Sequence, residues 1–409
     1  MVEFITVVYF IYMFISLYFL FLFTLTFLQN KKEIFEIPEI KKNFSLSVLI
    51  PAYNEEDSIR GTVESVLNSD YKDIIEIIII NDGSNDKTLK IAKELEKRYR
   101  KVRVLDKKNS GKADSLNQAI KIAKGELIAV VDADSYPEKH SISSMVGFFH
   151  EKNVGAVTTR VLVKNKDSFI RVLQGVEYKL IAFTRKLLGF LDAIYVTPGP
   201  LALYKKSALE HIDGFDTKNM TEDIEATWHL VSEGYKIRMS FASRVFTVAP
   251  NTFKKWFKQR IRWNIGGIQT ILKYKHLFFR KGMLGRFILP FFSISLLLGI
   301  FGIGIFSYRI FRRFAVSYLS TKGSIASETA ILTLQDINLN PSVLNFFGVV
   351  LFVLGLLFLF FALKMVNMKT NEKERFFSVI FYSIIYITAY PFILIASLYK
   401  FMRGKYSWR

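Results

Sequence analysis

Four short stretches of this 409-residue sequence bring together side chains that chemistry uses. Asp132-Ala133-Asp134 sets two carboxylates two residues apart, a pair suited to a hard divalent ion such as Mg²⁺ or Mn²⁺ whose remaining coordination comes from substrate phosphates. Asn81-Asp82-Gly83-Ser84 is a good turn, with Gly supplying positive φ and Asp or Ser capping the next helix, and equally a candidate ligand site. Thr221-Glu222-Asp223 opens a helical pattern in which Thr221 is placed to N-cap and the two acids complement the helix dipole. A helix amino end also holds an aspartate ionised, as a general base must be. Gly111-Lys112-Ala113 opens another helix, and a helix amino end with a lysine favours phosphate. There is no cysteine, which excludes thiol catalysis, a thiolate metal site and a disulfide scaffold. No Gly-x-Gly-x-x-Gly or Walker sequence occurs, which argues against a dinucleotide oxidoreductase or a P-loop ATPase.

Elements must hold these groups. Residues 45–51, 74–81, 102–106 and 126–132 are short Val- and Ile-rich runs, and helical patterns lie between them at 55–68, 87–99 and 112–124. That alternation predicts βαβ units in a mostly parallel α/β sheet, whose ligands collect at the carboxyl ends of the strands. Those ends read Pro51-Ala52-Tyr53-Asn54-Glu55-Glu56, Asn81-Asp82-Gly83-Ser84 and Asp132-Ala133-Asp134. Three polar strand ends on successive strands converge on one crevice. The implied ligand is a nucleoside diphosphate derivative.

The rest of the chain is built for a bilayer. Apolar residues make up 51% of the sequence and 39 are phenylalanine. Runs 4–28, 287–308, 341–363 and 376–399 contain no Asp, Glu, Lys or Arg, and each is long enough to span. The first is a retained anchor rather than a signal peptide, since no basic segment precedes it and no small-x-small site comes after it. The absence of ionisable groups from all four disfavours an ion-coupled carrier. A basic linker, 29–44, leads to a domain at 45–250; 251–286 is a basic interfacial segment, and 309–340 a polar connection. Lys31, Lys32, Lys41 and Lys42 place the domain in the cytoplasm and the N-terminus outside. Three later spans then put the C-terminus outside, against its basic tail of Lys400, Arg403, Lys405 and Arg409, so the parity stays open. Residues 253–286 hold ten Lys or Arg and no acid, a collar for anionic lipid with Trp256 and Trp263 as interface anchors. Helix 168–191, which carries Arg171, Lys179, Arg185 and Lys186, fits either the interface plane or the domain interior. The formal charge of +20 does not indicate a nucleic-acid binder, because the densest basic segment abuts a membrane span.

Three further segments, in order, carry a resemblance: Thr197-Pro198-Gly199-Pro200, Thr221-Glu222-Asp223 and Gln259-Arg260-Ile261-Arg262-Trp263. With Asp82 and Asp132-Ala133-Asp134, they make the chain resemble the family 2 inverting glycosyltransferases of the GT-A fold. More narrowly, it resembles membrane-embedded synthases of the cellulose, chitin, hyaluronan and poly-N-acetylglucosamine type. The resemblance covers roughly 45–269 and the anchor-domain-spans layout. It implies a GT-A domain between one N-terminal and three C-terminal spans, with Asp223 as base and Asp134 holding Mg²⁺ or Mn²⁺. It further implies that Ala52, Tyr53, Glu55, Asp82, Lys112, Asp132 and Arg262 bind a nucleotide sugar, by expectation a UDP-sugar such as UDP-glucose or UDP-N-acetylglucosamine. Gly199, Thr221, Glu222, Gln259 and Trp263 would then meet the acceptor, the indole stacking under a pyranose while Arg262 neutralises diphosphate.

The expected product is a β-linked polysaccharide, extended and moved through the spans. The alternative is transfer of one sugar to a polyprenyl phosphate or other lipid. Four spans are few for a channel, so self-association or a partner subunit is one way to supply more. A nucleotide sensor without chemistry is disfavoured because Asp134, Asp223 and the Arg262-Trp263 pair are all present.

Overall fold

The structure is a computed structural model describing residues 2–280, 282–326, 343–368 and 375–404. After helix α1 (Val2–Asn30) the chain lays down β1 (Leu46–Ala52), α2 (Ile59–Leu67), β2 (Ile74–Asp82), α3 (Thr88–Arg98), β3 (Val102–Lys107), α4 (Lys112–Ile122) and β4 (Leu127–Val130). Strands β1 to β4 pair in parallel in the order β3-β2-β1-β4. The isoleucine run of β2 is buried on both faces, as a central parallel strand requires. Each such side chain removed from water contributes about 1.5–3 kcal/mol. Ala52 lies opposite Asn81, and Asp82 opposite Lys107, so the polar strand ends align at one sheet edge.

The second half of the sheet has no signal in the alternating pattern. It is built from β5 (Ser135–Pro137), β6 (Val154–Val163), β7 (Ala202–Lys205) and β8 (Lys236–Thr247), with the short helix α5 (Ser143–Val146) between β5 and β6. The order runs on from β4 as β7-β6-β8-β5, and β7 is antiparallel to both neighbours, which makes an eight-stranded mixed sheet. Around it lie α6 (Phe169–Phe190), α7 (Lys206–His211), α8 (Glu222–Ser232) and α9 (Phe253–Tyr274). The segment containing Arg185 has two packed sides. One side of α6 packs on β6 and β8, and the other meets α11 (Val343–Asn367) and α12 (Phe376–Met402).

Among the described residues, four helices are long and apolar enough to cross a membrane, over Thr6–Asn30, Leu284–Gly323, Phe346–Asn367 and Phe376–Met402. The second overlaps α10 (Leu289–Ala326), which continues well past Tyr308; 327–340 of the expected polar connection, and 341–342 of the span expected after it, lie outside the described residues. Ring contacts fix how the helices run. Phe19 meets Phe291 at 4.8 Å and Tyr9 accepts from Arg309 at 3.0 Å, so α1 and α10 are antiparallel. Phe27 meets Phe361 at 4.7 Å, so α11 returns beside α1 to the domain. There the buried Arg160 of β6 donates to the Val366 carbonyl at 3.1 Å, placing a cation at the negative end of the α11 dipole.

Candidate active site

The carboxyl ends of β1, β2 and β4 open onto a cleft of about 540 Å³. Its wall includes Ala52, Tyr53, Glu55, Asp82, Lys112, Asp132, Asp134 and Arg262, which brings every expected nucleotide-sugar residue and the expected metal residue into one cavity. Ala52 is buried, while Tyr53 stands 48% exposed at the rim. Asp82 is buried and fully engaged: it accepts from Lys107 at 2.6 Å and from the backbone amides of Ser110 and Gly111, both at 2.9 Å. It thereby shapes the loop that floors the cleft. Gly111, at φ 95°, precedes α4 in a conformation that a side chain would strain.

Glu55, Asp132 and Asp134 gather on one side. Burial, then Asp132, then Glu55 push the Asp134 carboxyl up to about 7. Burial also raises Glu55, although Ser58 donates to it at 2.5 Å. Carboxylates that crowd until one holds its proton form a negative pocket in want of a cation. Among the described residues no three such ligands stand close enough to enclose an ion alone. A hard divalent ion at Asp134 would therefore need phosphate oxygens to complete its coordination.

Lys112 sits at the centre. Its ammonium lies 2.6 Å from Asp132 and 2.9 Å from Glu222, joining the donor side to the start of α8. Burial alone would lower its pKa, but the two carboxylates outweigh burial and raise it. Gly199 closes over this pair: a Cβ there would come within 2.5 Å of the Lys112 nitrogen and 2.7 Å of Asp132. The backbone wall expected beside the acceptor thus lies against the Lys112–Asp132 bridge.

Asp223, one residue on, is pushed up to about 6, by burial first and Glu222 next, with Lys112 and Arg262 pulling the other way. Glu222 is lowered, because Lys112 and Arg262 exceed the effect of its burial. Thr221 occupies the N-cap position of α8 without a side-chain cap bond, contrary to expectation. Its hydroxyl turns to Asn219, and Gly266 of α9 leaves room for it, so Thr221 sits in the α8–α9 packing. From α9, Arg262 lines the cleft. Trp263 is half-buried against the main core, and Gln259 accepts from Arg260 at 2.8 Å. Trp256 is no lipid anchor: it is 2% exposed and donates to Tyr386 of α12 at 3.1 Å.

Residues 47–213 match the family described as glycosyl transferase family 2. The domain belongs to glycosyltransferase family 2. The chain is similar to poly-beta-1,6-N-acetyl-D-glucosamine synthase from Staphylococcus aureus, with 33% identity over 260 residues, 63% of this chain and 62% of the relative. The synthase of the same name from Staphylococcus epidermidis is 34% identical over 252 residues, 61% of each chain. The match thus spans about 62% of the length of these curated relatives. Among solved structures, a mannosyltransferase from Pyrobaculum calidifontis in complex with GDP-Man and Mn²⁺ shares the fold. It aligns with 96% of this chain and 99% of its own at TM-score 0.60 and 18% identity.

Several residues in and around the cleft carry almost no signal in the sequence. Lys107, which pairs with Asp82, ends a strand and looks like surface charge; Asn109, Ser110 and Thr217 also line the cavity. Arg260 and Glu177 form a buried ion pair across 83 residues of sequence. Arg185 is buried with no partner for its Nε, and it interacts electrostatically with Tyr195 and Asp223. A polar residue repeating among the apolar positions of α6 is the one available signal.

Proposed function

We propose that the protein is a membrane-embedded inverting glycosyltransferase. It transfers a sugar from a UDP-sugar, UDP-N-acetylglucosamine first among candidates, to a growing β-linked polysaccharide. One observation carries the reading: a negative donor pocket at Glu55, Asp132 and Asp134 shares a cleft with Arg262, whose charge acts on the nearby Asp223, and the helix bearing Arg262 packs on a membrane-crossing helix. The names of the staphylococcal relatives support the donor and product class.

The chemistry derives from the charges. Asp134 would hold a divalent ion, Mg²⁺ or Mn²⁺, which when bound would supply positive charge for the diphosphate leaving group. Arg262 faces the same group with a fork suited to phosphate oxygens. Because the leaving group needs no proton, one carboxylate suffices, in contrast to the pair that hydrolases use. Asp223 takes the proton from the acceptor hydroxyl, whose oxygen forms the new bond to the anomeric carbon as the bond to diphosphate breaks on the opposite face. Trp263 offers an aromatic face to the acceptor sugar, and Lys112 bridges Asp132 and Glu222 beside the reacting centre.

In this reading the domain is cytoplasmic, beside the lysines that come after α1. The four spans alternate in direction, which puts the start of α1 and the end of α12 on the opposite side; Leu394 of α12 packs beside Gly299 of α10. The test is to incubate the purified protein with a panel of UDP- and GDP-sugars plus Mg²⁺ or Mn²⁺, and to record nucleotide release and product length. Polymer from UDP-N-acetylglucosamine is expected. A lipid carrying a single sugar refutes the processive reading.

A further inference from the structure

Arg260 is the residue of the Gln-Arg-Ile-Arg-Trp segment that the proposed reaction leaves without a task. It is 4% exposed, on a helix whose other cations mostly face outward. Burying a guanidinium is costly unless partners surround it, and here they come from three elements. On α6, Glu177 pairs with it; on α9, the Gln259 side chain accepts from it at 2.8 Å. Its carbon lies 4.1 Å from the centre of the Trp263 ring and 5.7 Å from that of Trp256. The third element is a membrane helix: Tyr386 of α12 donates to the same Glu177 carboxylate at 2.7 Å and accepts from the Trp256 indole at 3.1 Å.

The cluster is closed, and none of its members lines the nucleotide cleft. It does touch Gln259 and Trp263, the two side chains of α9 assigned above to the acceptor. The guanidinium fixes the face of the Trp263 indole by stacking, and it fixes Gln259 by a hydrogen bond. We infer that Arg260, Glu177 and Tyr386 are positioning residues. They form a latch that ties the acceptor platform of Gln259 and Trp263 to membrane helix α12, so that elongation depends on a hydroxyl supplied by a span. The inference rests on Trp263 being the acceptor platform.

The test uses the full-length protein with UDP-N-acetylglucosamine and Mn²⁺, comparing Tyr386→Phe, Arg260→Lys and Glu177→Gln with Trp263→Ala. Tyr386→Phe removes a single hydroxyl and is the variant least able to disturb folding. Losing a hydrogen bond to a charged group is expected to slow elongation about tenfold and shorten the product. UDP affinity, read by calorimetry, and KM for the donor stay within about twofold of wild type, because the latch does not touch the nucleotide. Arg260→Lys keeps the charge but loses the flat stacking surface and the fork, so it shortens the product without restoring wild-type length. Wild-type length and rate in all three latch variants, with Trp263→Ala still impaired, overturn the latch and leave the platform standing. Donor affinity falling in step with elongation in every variant marks mere scaffolding and also overturns it. If Trp263→Ala makes full-length product, or the wild type makes no polymer, the parent reading fails and the latch with it.

Discussion

Replacing Lys112 with Met tests whether the donor pocket and the base are one electrostatic unit. In the wild type the ammonium touches Asp132 at 2.6 Å and Glu222 at 2.9 Å, and it helps to hold the Asp223 carboxyl down at about 6 against burial and Glu222. Methionine keeps the length and removes the charge. Glu222, whose side chain is 5% exposed, is then a buried carboxylate next to Asp223 with one cation fewer. Two carboxylates in that position resist joint ionisation, and loss of a close opposite charge moves the Asp223 titration up by about one pH unit or more. Asp223 works deprotonated, so activity is lost as pH falls through its pKa. The acid limb of kcat/KM should therefore lie near pH 6 in the wild type and at higher pH in Lys112→Met. Leaving buried carboxylates unpaired should also destabilise the fold by about 3 kcal/mol near neutral pH. The assay is nucleotide release across pH 5 to 9, alongside thermal unfolding. An acid limb at the same pH in both proteins refutes the coupling, whatever happens to the maximal rate.

Three further outcomes rest on the same geometry. Asp223→Asn should lower transfer by about 100- to 10,000-fold, while UDP binding measured by calorimetry persists. Asp134→Asn should raise the Mn²⁺ concentration needed for half-maximal rate about tenfold or more, and chelation followed by metal return should restore only the wild type. Gly199→Ala should cost about 1–3 kcal/mol through forced displacement, since its Cβ would meet the Lys112 nitrogen at 2.5 Å, and a crystal structure or an activity scan with no change would contradict that close approach.

The first half of the sheet is legible because β1 to β4 are apolar runs closed by turn residues, a signal local to each segment. Asp82, Asp132 and Asp134 can be placed together once those strands are seen to run parallel. The features that stay hidden depend on partners far along the chain. Arg260 and its neighbours look like one basic collar, and nothing within α9 separates a guanidinium facing lipid from one paired with Glu177 of α6. Trp256 resembles an interface anchor for the same reason, since its partner Tyr386 lies 130 residues on. Thr221 has the right type and place for a cap, but Asn219 competes for its hydroxyl and Gly266 invites it into a helix contact. The strands β5 to β8 are separated by irregular intervals and pair out of sequence order, so periodicity alone cannot assemble them.

The contact between Arg160 and Val366 bears on how the protein is made. The two residues are 206 positions apart, and the arginine emerges first. At a synthesis rate of about 5–20 residues per second, its guanidinium waits about 10–40 s for the helix end that receives it. During that interval β6 carries a cation prepared for a carbonyl not yet made, so the newly made domain has a charged socket without its partner. Closing that socket is the moment at which a membrane helix and a water-soluble sheet become one folding unit.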